Sequence, residues 1–140
     1  MRKLAQGVML LFAIGFAIRP CASSASPCGC VDRALTEKNK AEWATAVAKQ
    51  LHAQKVDVLQ SFRFGDWRII YVDSHLGDEA FLFFSHDPLR SHYVTLWSGA
   101  AVRNENEERS IKAWTLKNAP GIPEKLAGCF AWYVTNARTM

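Results

Sequence analysis

The sequence predicts an α+β fold: an N-terminal helix, a four-stranded antiparallel meander and two C-terminal helices packing on the sheet. Three observations predict it. Apolar spacing is helical up to about Ala53 and switches to a period of two at Val56; four short apolar runs then follow one another with connections too short for crossover helices; and helical spacing returns after Asn104.

The first helix is expected from Arg33 to Ala53, with Asp32 or Thr36 available to accept a free amide at its start. Trp43, Ala44, Val47, Ala48 and Leu51 recur at three and four, while Lys38, Lys40, Glu42 and Lys49 face away, which makes one apolar stripe. His52 suits the negative end of this helix.

In the first strand Val56, Val58, Phe62 and Phe64 fall on one side and Asp57, Ser61 and Arg63 on the other, so packing on one face only is expected. Gly65-Asp66 separates two such runs by two residues, with glycine first, as a type II′ hairpin turn requires. The second strand, Trp67 to Asp73, sends Trp67, Ile69 and Tyr71 one way and Ile70 and Val72 the other. Ala80 to Phe84 is apolar throughout. Both strands therefore read as covered on two faces. The fourth strand, His92 to Ser98, alternates Val94 and Leu96 against Tyr93, Thr95 and Trp97.

Asn104 and Glu107 resemble a capping pair, Ile111 and Trp114 begin a buried stripe, and Asn118-Ala119-Pro120-Gly121 ends it. Pro123 opens a last helix, in which Leu126, Cys129, Phe130 and Tyr133 fall at i, i+3, i+4 and i+7. Residues 129–135 are also rich in strand formers; the helical spacing decides for helix.

Residues 1–25 read as an export signal. Arg2 and Lys3 supply its positive start, Gly7 to Ile18 its uncharged stretch, and Ala22-Ser23-Ser24-Ala25 its small residues for the peptidase. Twelve apolar residues rise about 18 Å as a helix, short of the roughly 30 Å hydrocarbon core, so a retained membrane span is not expected. Lipid attachment at Cys21 is disfavoured by Arg19 and Pro20 before it. Cleavage after Ala25 leaves residues 26–140 as one compact domain, periplasmic or secreted.

That mature chain keeps Cys28, Cys30 and Cys129. Disulfide geometry makes the members of a C-x-C awkward partners for each other, so one of the first two is expected to join Cys129. The other is left for an intermolecular partner, a ligand or burial. A redox or soft-metal role for Cys28-Gly29-Cys30 is the alternative, although no second C-x-C and no Met or His cluster accompanies it.

The whole chain has 17 Lys plus Arg against 13 Asp plus Glu, a net charge of +4. Arg2, Lys3 and Arg19 leave with the signal, which takes the balance to 14 against 13. So nearly neutral a chain has no general attraction for phosphate backbones or anionic lipid, and neither nucleic acid nor a membrane is an expected partner.

Three Ser-His pairs, Ser74-His75, Ser85-His86 and Ser91-His92, have Asp73, Asp78 and Asp87 nearby. Neighbouring strand side chains point to opposite faces, so adjacency is not a catalytic triad, and no G-x-S-x-G turn is present. For a metal, the meander separates His75 from His86 and His92 by some 20 Å. Only His86, Asp87 and His92 are placed to converge, and their spacing is not diagnostic of zinc or iron.

Among the tryptophans, Trp43, Trp67 and Trp114 are assigned to the core, while Trp97 and Trp132 are left as candidate stacking platforms for carbohydrate. The acidic segment from Asn104 to Glu108 is the solvated start of a helix. Asp78, Glu79 and the loop carrying His86, Asp87, Arg90 and His92 are the features expected to face a partner.

The reading is a small exported, non-enzymatic binding domain without a cofactor, acting on another envelope or secreted protein. In size, compartment and layout it is similar to periplasmic inhibitors of lysozyme-like enzymes and to immunity proteins against secreted toxins, which implies an inhibitor, immunity or envelope accessory role but assigns no residue. The competing readings are a small envelope metalloenzyme using His86, Asp87 and His92, and thiol exchange at Cys28 and Cys30.

Overall fold

A computed structural model describes residues 26–138; the expected signal and its cleavage point after Ala25 lie outside the described residues. The elements follow as α1 (Glu37–Leu51), β1 (Asp57–Phe64), β2 (Trp67–Asp73), β3 (Ala80–Phe84), β4 (Thr95–Ser98), α2 (Glu105–Asn118) and α3 (Glu124–Trp132). The strands form one antiparallel sheet in the order β1-β2-β3-β4. This is the expected α+β meander with a helix before it and two after. No helix among the described residues is long and apolar enough to cross a membrane.

Helix α1 starts later than expected, because Thr36 rather than Asp32 takes the free amide of Asn39, at 3.1 Å. Asp32 instead exchanges two backbone hydrogen bonds with Arg63, at 2.8 and 2.9 Å, which covers part of the outer edge of β1. His52 closes the helix in the left-handed region at φ 53°, its amide bonding back to Lys49.

The sheet carries apolar side chains on both faces. Ile70, Val72, Ala80, Leu82 and Phe84 pack under Trp43 and Val47 of α1. Ile69, Tyr71, Phe81 and Phe83 pack under Ile111, Leu126 and Phe130 of α2 and α3. The alternation within β2 and the two-sided burial of β3 are those the sequence predicts, and each fully buried leucine, isoleucine or phenylalanine contributes about 1.5–3 kcal/mol.

Strand β1 departs from expectation. Val58 pairs with Val72 but Gln60 pairs with Tyr71, so Leu59 is the extra residue of a β-bulge. The bulge reverses the parity of the strand. Val56 and Val58 join the α1 side, whereas Phe62 and Phe64 join the α2/α3 side. The strand that was expected to pack on one face packs on both.

The β1–β2 turn agrees with type II′: Gly65 has φ 61° and Asp66 is not in the positive-φ region. Strand β4 is shorter than expected, and Tyr93, ahead of it, packs on the α1 side with Leu96, whereas Trp97 packs on the other. In α2 the Asn104 side chain accepts the amide of Asn106 at 2.7 Å. Residues 129–135 are helical: α3 runs to Trp132 and continues as a π-helical turn over Tyr133–Ala137.

Cys28 and Cys129 form a disulfide across 101 residues, tying the start of the described chain to buried α3. Cys30 is disulfide-bonded as well, which corrects the expectation of a leftover thiol.

Candidate binding cleft at the hairpin end of the sheet

The meander divides the expected partner-facing residues between two ends. Phe64 pairs with Trp67 and Arg68 pairs with Phe84, so the β1–β2 turn and the loop after β3 lie together. His86, Asp87, Arg90 and His92 belong to that end. Asp78 and Glu79 precede Ala80, which pairs with Val72 and Ser98, and lie at the other end. Seven residues of β2 at about 3.3 Å each keep the two groups roughly 20 Å apart.

At the far end, Glu79 has an internal role. It accepts a hydrogen bond from the Tyr71 hydroxyl and lies 3.5 Å from Arg138, whose side chain is only 7% exposed. Arg138 also donates to the Tyr71 oxygen at 3.0 Å and to the Gly99 carbonyl at 2.7 Å. Asp78 is exposed beside this group. Nearby, His75 sits at φ 57° with its Nε2 2.7 Å from Asp57, while Lys55 reaches the same carboxylate oxygen at 3.1 Å. These bonds hold Asp57 below its ordinary value.

None of the three Ser-His pairs forms a dyad. Ser74 accepts from the Leu76 amide, and Ser91 donates to the Asp87 carbonyl. His92 turns its Nδ1 to the Tyr93 carbonyl, at 3.2 Å, with its ring against the Tyr93 ring, whereas His86 and Asp87 line a cleft. Among the described residues no three His, Cys, Asp or Glu side chains converge on a point where an ion would sit. Trp97 is half-buried, its ring packed against Phe81 and Phe130 at the margin of the core, and Trp132 is half-buried at the end of α3.

The cleft itself has a volume of about 290 Å³ and is lined by Trp43 of α1, Arg63 and Arg68 of the hairpin, Asp66 of its turn, and His86, Asp87 and Pro88. No family model, curated protein or solved structure matches this chain. Its chemistry therefore has to be read from these side chains.

Arg63 and Arg68 are direct partners in the β1–β2 ladder. Like charges placed opposite each other on one face of a sheet are destabilising. The Arg68 guanidinium lies 4.4 Å from the centre of the Trp43 ring and donates to Ser61 Oγ at 2.7 Å. No carboxylate among the described residues comes within ion-pair distance of it. Burial pulls Arg68 below its ordinary value and Arg63 pushes the same way, while Asp32 and Asp87 oppose them from a distance.

The wall of the cleft is held firmly. Asp87 organises its loop by accepting the Leu89 amide on its side chain at 3.0 Å, while its carbonyl takes the amides of Arg90 and Ser91. Gln50 of α1 then fixes the loop's return, donating to the Ser91 carbonyl and accepting from the Tyr93 amide, each at 3.0 Å. Between these anchors Leu89 is 47% exposed, and Val94 just beyond is 44% exposed.

Reading the sequence alone singled out His86 and Asp87 but missed Trp43, Arg63 and Arg68. The signal was present in the hairpin: a two-residue turn at Gly65-Asp66 forces the residues on either side into register, so Arg63 must oppose Arg68.

Proposed function

We propose that this chain is a small exported, non-enzymatic binding domain that engages another envelope or secreted protein through the hairpin end of its sheet. The observation that carries the reading is the loop between β3 and β4: it is fixed by Asp87 and Gln50 yet presents Leu89 and Val94 to solvent beside a cleft holding Arg63 and Arg68, neither of which forms an ion pair among the described residues. A loop ordered at both ends and apolar at its tip is suited to a preorganised interface, where little ordering entropy is lost on association. Export is consistent with the Cys28–Cys129 disulfide.

The test is capture from envelope extract with the wild-type chain and with Leu89→Asp. One stoichiometric protein held by the wild type and lost in the variant supports inhibition, immunity or an accessory role. Recovery of glycan alone, or equal recovery by both chains, overturns the reading. So does stoichiometric zinc or iron in protein purified without a histidine tag, if it disappears on His86→Ala with His92→Ala.

A further inference from the structure

We infer that the cleft between α1 and the β1–β2 hairpin is a carboxylate-binding site, in which Arg68 grips an acidic group of the partner and Arg63 adds a second cationic donor. This rests on the binding reading above and names the chemistry of its central contact. A guanidinium carries five N–H donors, and among the described residues Arg68 has one acceptor, Ser61 Oγ. Its face is covered by Trp43, which fixes its plane and leaves its edge as a preset fork. The adjacent Arg63 costs stability in the free protein, and an anion between the two would remove that cost.

The rim chooses among anions. Asp66 and Asp87 also line the cleft, so a dianionic phosphate meets repulsion from both, whereas a singly charged, planar carboxylate matches the fork with less of it. Asp87 does not satisfy Arg68 itself: one of its oxygens accepts the Leu89 amide and the other lies 3.9 Å from Arg90.

Two sources can supply such a group, an acidic side chain or a chain terminus. The test is a titration observed at the arginine Nε–Hε signals, using two pentapeptides. One carries a single internal glutamate with blocked ends; the other is all glycine with a free C-terminal carboxylate. Inorganic phosphate is the comparison anion. The expected result is a saturable shift of Arg68 with at least one peptide, the tighter one naming the source. Arg68→Lys keeps the charge but removes the fork and should weaken binding about fivefold or more. The exposed Arg63→Gln variant, whose fold the change does not threaten, should weaken it about threefold.

Absence of saturation with both peptides, phosphate binding as tightly as the better peptide, or unchanged affinity in Arg68→Lys overturns the inference. Partner capture lost in Leu89→Asp but kept in Arg68→Lys overturns the carboxylate site while leaving the binding face standing. Capture kept in both overturns the two together.

Discussion

Val58 and Phe62 lie in one strand, four residues apart, and face opposite layers of the protein: Val58 packs under α1 and Phe62 against the α2/α3 side. The extra residue Leu59 makes this possible, since it enters the ladder between partners Val72 and Tyr71 without a partner of its own. Deleting Leu59 would restore strict alternation and turn Phe62 and Phe64 toward α1. Phe62, fully buried, would lose about 1.5–3 kcal/mol of burial and the half-buried Phe64 part of that, and urea denaturation should show loss of cooperative unfolding. Leu59→Ala, which keeps the bulge, should retain a cooperative transition. A deletion variant with wild-type midpoint would show that the bulge does not fix the register.

The Cys28–Cys129 bridge closes a loop of 101 residues. On chain-entropy grounds that constraint stabilises the fold by about 4–5 kcal/mol, mainly by restricting the unfolded chain. The paired substitution Cys28→Ala with Cys129→Ala should lower the urea midpoint accordingly and leave the sheet's circular dichroism intact below the transition. A midpoint within error of wild type would mean that the bridge merely records proximity.

The layout of the fold was legible because β2 and β3 are apolar at every position that the sheet buries, and because Gly65-Asp66 and Pro123 punctuate it. The bulge was not, since one inserted residue leaves the composition of β1 unchanged and reveals itself only through the partners Val72 and Tyr71. In the candidate site, His86 and Asp87 stood out as polar residues at a turn. Arg68 did not, because its significance depends on Trp43, which comes from a helix 25 positions earlier, and on there being no acid within ion-pair distance among the described residues. Glu79 was legible as a loop acid but not as the partner of Arg138, a contact that joins two distant parts of the chain.

Gln50 substitutes for a strand neighbour by bonding Ser91 and Tyr93 with both ends of its amide. Gln50→Ala removes two hydrogen bonds and should cost about 1–3 kcal/mol. Hydrogen exchange at the Tyr93 amide should rise more than that at β2 amides, because the loop opens locally before the sheet does. Equal acceleration throughout would place the effect in global stability alone.

Arg138 is the anchor of the final segment, bonded to Tyr71, Glu79 and Gly99 and lying over the Tyr71 ring at 5.2 Å. Arg138→Ala leaves the Tyr71 oxygen and the Gly99 carbonyl without that donor and should cost about 2–3 kcal/mol. Faster amide exchange over Tyr133–Ala137 should accompany the loss. Arg138→Lys should recover only part of it, since one ammonium cannot reach all three acceptors with the guanidinium's fixed geometry. Full recovery by lysine would reduce the role of Arg138 to its charge.

Asp57 gives the acid range its own signature. Hydrogen bonds from His75 and then Lys55 hold its carboxyl below the ordinary value of 3.8. A folded-state value below the unfolded one means that the unfolded chain takes up the proton first as pH falls. The stabilisation is therefore complete above the unfolded value and disappears as pH drops through the lower, folded one. Because the group is solvent-exposed the effect is small and weakens with salt. Asp57→Asn should lie below wild type at about pH 5, and the two stability curves should converge on further acidification. A margin that stays constant to the acid limit, or one that widens there, would show that the His75 and Lys55 contacts do not favour the carboxylate.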